Sequence, residues 1–143
     1  MMGQNYMAEA IKQAKIAFEC DEVPVGAVMV CNGKIIAKAY NQTEKLNDVT
    51  AHAEMQAITM AADALGGKYL DKCELYVTLE PCPMCAAALH WAQLGKLVYA
   101  APDSKRGFSR FQPKLLHPKT EVVSGAEAEE SAALLRNFFA KKR

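Results

Sequence analysis

At one dipeptide this chain has little conformational freedom. Asn32-Gly33 stands between the apolar runs Val25 to Val30 and Lys34 to Tyr40, and Asn-Gly between hydrophobic segments is the strongest short-range signal for a two-residue hairpin. Two antiparallel strands are therefore expected there. Helical and strand periods alternate around this pair. Met7, Ala10, Ile11, Ala14 and Phe18 share one face of a helix over about residues 6–18, and Asp21 and Glu22 end it. After a polar loop from Asn41 to Asp48, Thr50 can cap a helix over about 51–65 that Gly66-Gly67 stops. A strand over 74–79 passes through Pro81 into a helix over 83–93, and a further strand occupies 96–100. Residues 102–119 mix Pro102, Pro113 and Pro118 with charges and aromatics and read as a mostly irregular excursion. A short strand near 121–123 and a helix over 127–140 close the pattern. With no repeat, no low-complexity tract and no long linker, the 143 residues read as one α/β layered domain.

Composition narrows the class of protein. At 51% hydrophobic and 23% charged the chain is neither disordered nor fibrous. No stretch reaches the roughly 18 to 20 apolar residues of a membrane span, and Met1 to Tyr6 lacks the charged and apolar regions of a secretion signal. A cytoplasmic protein without membrane contact is expected. Five cysteines, an odd number with two only three residues apart, argue for metal or redox chemistry over a disulfide framework. The net charge of +1 conceals an asymmetry: residues 1–102 carry eight Lys and no Arg against eleven acids, a net −3, whereas 103–143 carry nine Lys and Arg against five acids, a net +4. All four arginines lie in that second part, and Arg suits bidentate phosphate contact. It is the better candidate for a polyanionic partner, with a merely solvated basic surface as the alternative.

The chemistry-bearing residues fall in two segments, each at a helix start: Ala51-His52-Ala53-Glu54 and Glu80-Pro81-Cys82-Pro83-Met84-Cys85. Imidazole and thiolate are ligands zinc prefers, and Cys82 and Cys85 can direct both sulfurs to one ion from a single turn. The positive end of the helix favours the ionised thiols. His52 supplies a third ligand, and the lack of a fourth at matching spacing fits a catalytic zinc that keeps a position open for water. Glu54, two residues beyond His52, can reach that water as proton acceptor. Alone, the Cys pair could be a redox dithiol or half of a structural zinc site, and His-x-Glu an ordinary polar helix start. The redox reading leaves His52 and Glu54 without a purpose, and the structural-zinc reading needs one more ligand. Cys20, Cys31 and Cys73 sit in apolar contexts and read as core residues, while His90 and His117 read as structural or surface groups.

His-x-Glu followed by Pro-Cys-x-x-Cys is the signature of zinc nucleobase deaminases. The chain resembles the cytidine deaminase-like superfamily and, within it, the bacterial tRNA adenosine deaminases. The likeness runs through Glu22 to Val28, Tyr40-Asn41, Thr50 to Glu54, Leu75 to Cys82, and Ala133 to Phe139. It implies a three-layer α/β/α fold with a five-stranded mixed sheet, one Zn2+ per chain, a homodimer, and conversion of the wobble adenosine in a tRNA anticodon stem-loop to inosine. The implied mechanism is attack of zinc-activated water on C6 of a flipped-out adenine, with Glu54 protonating the ring and then the leaving ammonia. By the same resemblance Asn41 hydrogen-bonds the base, Val23, Pro24 and Pro81 line the pocket, Asp103 contacts a flanking nucleotide, and Phe139 with Phe138 lies near the anticodon loop. Lys105, Arg106, Arg110 and the tail Lys141-Lys142-Arg143 are the candidate phosphate contacts, with Phe108, Phe111, Phe138 and Phe139 interleaved among them as stacking groups. Two alternatives stay open. The Pro-Cys-Pro-Met-Cys run with Trp91 is similar to guanine deaminases, which points to a free-base guanine or cytosine deaminase. An inactive zinc-stabilised RNA-binding module is the other, although it has no chemical need of Glu54.

Overall fold

The Asn32-Gly33 turn has both residues at positive φ, 54° and 73°, the conformation of a type I′ hairpin turn. In the computed structural model, which describes residues 5–111 and 114–142, it joins β1 (Gly26–Cys31) to β2 (Lys34–Tyr40). Pro113 and the tail residue Arg143 lie outside the described residues. β1 also pairs antiparallel with β3 (Cys73–Leu79), and β3 runs parallel to β4 (Lys96–Ala101), which is parallel to β5 (Glu121–Ser124). The result is a five-stranded mixed sheet in the order β2-β1-β3-β4-β5.

Both faces of this sheet are covered at its centre, whereas the edge strand β5 is exposed along its length. Every residue of β1 is buried, as a central strand between two helical layers requires. Ala27, Met29 and Cys31 enter one apolar cluster and Val28 and Val30 the other, the two-residue period of a strand. The second cluster is completed by Met7, Ala10 and Ile11 of α1 (Tyr6–Glu19) and by Leu134 of α5 (Ala128–Lys141). The first is completed by Ala53, Ala57 and Ala61 of α2 (Ala53–Leu65) and by Ala86 and Leu89 of α3 (Pro83–Trp91). This is the three-layer α/β/α arrangement, and its alanine-rich helix faces let α2 and α1 lie close against the sheet. Among the described residues no helix is long and apolar enough to cross a membrane.

Two local expectations are corrected. The N-cap of α2 is His52 and not Thr50, whose amide and hydroxyl both bind the Asp48 carboxylate at 2.8 and 2.7 Å. Asp48 thus forms a local turn ahead of the helix. The excursion after β4 is mostly irregular, as expected, with a single helical turn, α4 (Phe108–Phe111), within it. Cys31 and Cys73 are buried, but Cys20 is exposed because it is the C-cap of α1, where the chain turns away through Asp21 at φ 62°.

Candidate metal centre and its cavity

Two helix starts face one another beyond the end of β3. His52 caps α2 and Cys82 caps α3, both with extended backbones (ψ 154° and 169°), and neither side chain is used for capping. Each is therefore free to turn towards the other. Pro83 at the first position of α3 fixes the start of that helix and sets Cys85 one turn inside it. His52 Nδ1 lies 3.7 Å from Cys82 Sγ and 3.5 Å from Cys85 Sγ, and ligand atoms of all three residues fall within 4.8 Å of one another. They form a His/Cys/Cys group that can bind a metal ion. Glu54 is 4% exposed, on the first turn of α2 beside these ligands.

The electrostatics of the group follow from its packing. A hydrogen bond from Cys85 and another from His52 pull the Cys82 thiol down to about 4, against the opposing effect of burial. Cys85 is pushed up, first as the donor of that bond and then by burial. Hydrogen bonding to Cys82 raises His52, while burial opposes the rise. The ligand atoms compete for the same protons, which is the condition under which a cation displaces them. Burial pushes the Glu54 carboxyl up to about 7, a value suited to a group that must both accept and donate a proton near neutrality.

The group opens into a cavity of about 1210 Å³, larger than the roughly 300–1,000 Å³ of small-ligand pockets. His52, Glu54 and Cys82 lie in its wall, whereas Cys85 is fully buried behind them. Of the residues expected at a substrate site, Val23, Asn41, Asp103, Lys105, Arg106 and Phe139 all line it. Asn41 donates from Nδ2 to the Val23 carbonyl at 3.3 Å, which orients its amide. Pro24 and Pro81 do not line it: both side chains are fully buried. Phe108 and Phe138 are also withdrawn from the surface, at 4% and 6% exposure, packed edge-on against Tyr99 and Phe18. Only Phe111 and Phe139 remain exposed as stacking groups. Thr43, Glu80, Leu135 and Arg136 also line the cavity and were not picked out as site residues from the sequence. The side-chain spacing of Leu135, Arg136 and Phe139 on one helix face is the signal that could have found the last two together.

Comparison with known proteins follows this geometry. The family model of MafB19-like deaminases matches residues 1–143. A tRNA-specific adenosine deaminase of Agrobacterium fabrum is 47% identical over 97% of this chain and 95% of its own length. A solved structure from work on A-to-I editing by tRNA:A34 deaminases at the wobble position of transfer RNA is 48% identical, with a TM-score of 0.85 over 91% of this chain and 98% of that one. A guanine deaminase from Bacillus subtilis is 40% identical, but it matches over only 71% of this chain and 66% of its own, with a TM-score of 0.67.

Proposed function

This chain belongs to the MafB19-like deaminase family, and from that premise we propose that it converts the wobble adenosine of a tRNA anticodon to inosine. The observation that carries the reading is the joint placement in one cavity of His52, Cys82 and buried Glu54 with Lys105, Arg106, Arg136 and Lys142. The first three are the means of hydrolysis. The cations face a polyanion, which a free base is not. The near full-length agreement with the tRNA deaminases at 47% and 48% identity supports the same choice.

His52, Cys82 and Cys85 would hold the zinc ion. Tetrahedral zinc, with bonds of about 2.1 Å to nitrogen and 2.3 Å to sulfur, separates N and S ligands by about 3.6 Å, and the distances here are 3.5 and 3.7 Å. Bound there, zinc supplies the Lewis acidity that makes water a nucleophile near neutral pH. Glu54 takes a proton from the attacking water and passes it to the ring nitrogen N1, then takes the remaining proton from the hydroxyl added at C6 and delivers it to the exocyclic amine as the C6–N bond breaks and ammonia leaves. Asn41 orients the base, with Val23 packed against it. Asp103, Lys105, Arg106 and Phe139 meet the flanking nucleotides and phosphates.

In this reading residues 1–143 make one deaminase domain in a cytoplasmic homodimer. The direct test incubates the protein with an anticodon stem-loop bearing wobble adenosine and, separately, with guanine, cytosine and cytidine. Inosine appears in the RNA; deamination of a free base without it would overturn the proposal.

A further inference from the structure

Glu80 stands two residues before a metal ligand and is 4% exposed, yet none of the chemistry above uses it. Its carboxylate is spent on a neighbouring loop. Oε1 accepts from the Asp103 amide at 3.0 Å, and Oε2 accepts from the Ser109 amide at 3.0 Å and from the Ser109 hydroxyl at 2.6 Å. The backbone adds further ties at the same place: Glu80 N–H donates to Ala101 O at 2.8 Å, and Phe108 N–H donates to Pro81 O at 2.9 Å. Between those anchor points the chain passes over the carboxylate at Gly107, where a methyl group would overlap the Glu80 side chain. Gly107 is required here for close approach. The loop so held presents Pro102, Asp103, Ser104, Lys105 and Arg106 to the cavity. Asp103 in turn accepts from the amides of Lys105 and Arg106, both at 3.0 Å, so one chain of hydrogen bonds runs from Glu80 to the two cations.

We propose that Glu80 is a positioning residue for the polynucleotide substrate: it fixes the 102–109 loop, and with it Lys105 and Arg106, at a set distance from the metal ligands. The two jobs are joined in three residues. Glu80 sets the wall, Pro81 fixes the chain between them, and Cys82 starts the metal centre, so the phosphates gripped by the wall are held in register with the base under attack. A buried carboxylate suits the task because each oxygen accepts from amides without competition from water. The inference rests on the RNA substrate proposed above.

Glu80→Gln, Gly107→Ala and Ser109→Ala test it on the full chain, with the stem-loop as substrate. Glutamine retains one acceptor oxygen and sets an NH2 group against the amide at the other, so it breaks the tie at one end. KM for the stem-loop is expected to rise roughly tenfold, the scale of one missing hydrogen bond to a charged group. The turnover number at saturating RNA and the zinc content should stay within about twofold of the parent. Ser109→Ala removes one bond of three from an exposed residue and should raise KM less; it carries the test if either buried substitution fails to fold. In a Lys105→Ala, Arg106→Ala background, adding Glu80→Gln should raise KM little further, because the cations are what Glu80 positions. Unchanged KM, loss of zinc, a fall confined to turnover, or a full additional rise in the cation-less background would each overturn the assignment. A parent protein that does not deaminate the stem-loop at all would instead reject the substrate reading on which it stands.

Discussion

At the scale of single residues the proposed function divides the work of the centre between His52, Cys82 and Cys85, which would hold the ion, and Glu54, which would move protons. Removing both thiols in a Cys82→Ala, Cys85→Ala variant leaves His52 as a lone donor, so metal analysis should find about one zinc per chain in the parent and only a small fraction of that in the variant. Stoichiometric zinc in the double variant would contradict the ligand set. Glu54→Ala should retain both zinc and fold and lose turnover by about 100- to 10,000-fold, the usual share of a general acid–base group. Activity assays paired with metal analysis separate the two kinds of loss. The grouping of these four side chains was legible in the sequence because such chemistry restricts side-chain type and spacing at once. Glu80 was not, since its partners at residues 103 and 109 are mainly backbone amides, and any residue but proline carries one. Pro24 and Pro81, which the resemblance places in the pocket wall, are buried instead, because likeness in sequence does not say which side of the backbone a ring occupies.

Elements show the same contrast between pattern and partner. The helices and strands that bury one face were readable from their periods, whereas α4 and the loop around it are held by contacts from a strand end 20 or more residues away. The two neighbouring phenylalanines of α5 illustrate what period alone leaves open. Phe138 is buried against Phe18, while Phe139 is 48% exposed in the cavity wall. Phe138→Ala should therefore lower stability by about 3 kcal/mol, the lower end for a buried phenylalanine, and be visible as a reduced thermal midpoint. Phe139→Ala should leave that midpoint nearly unchanged and weaken binding of the stem-loop. Equal stability losses in the two variants would contradict the packing described for α5.

On the scale of the whole molecule, the division of charge between the first 102 residues and the remainder acquires a location. Part of the basic excess is offset across that division, since Lys142 meets Asp21 at 2.7 Å, while Arg136 pairs within the basic part with Glu129 at 2.8 Å. Such exposed pairs are weak and are available for exchange with phosphate. Lys105 and Arg106 enter no ion pair among the described residues. Replacing both with alanine should reduce the slope of log affinity against log salt by roughly 0.7 to 0.9 for each phosphate that is no longer neutralised. An unchanged slope would make them solvated bystanders. The layered fold was legible because a hairpin signal and alternating periods agree over most of the chain. Sheet order was not, because strand neighbours are chosen by contacts between distant segments. The Asn32-Gly33 turn is exposed and sits where β1 ends, whereas the His/Cys/Cys group gathers where β1 begins and β3 ends. Six residues of strand, about 20 Å at the usual rise, separate the two ends of the sheet. The hairpin tip is consequently the natural handle of the molecule: a fluorophore, an affinity tag or a tether to a sensor chip attached there would face away from an incoming polynucleotide.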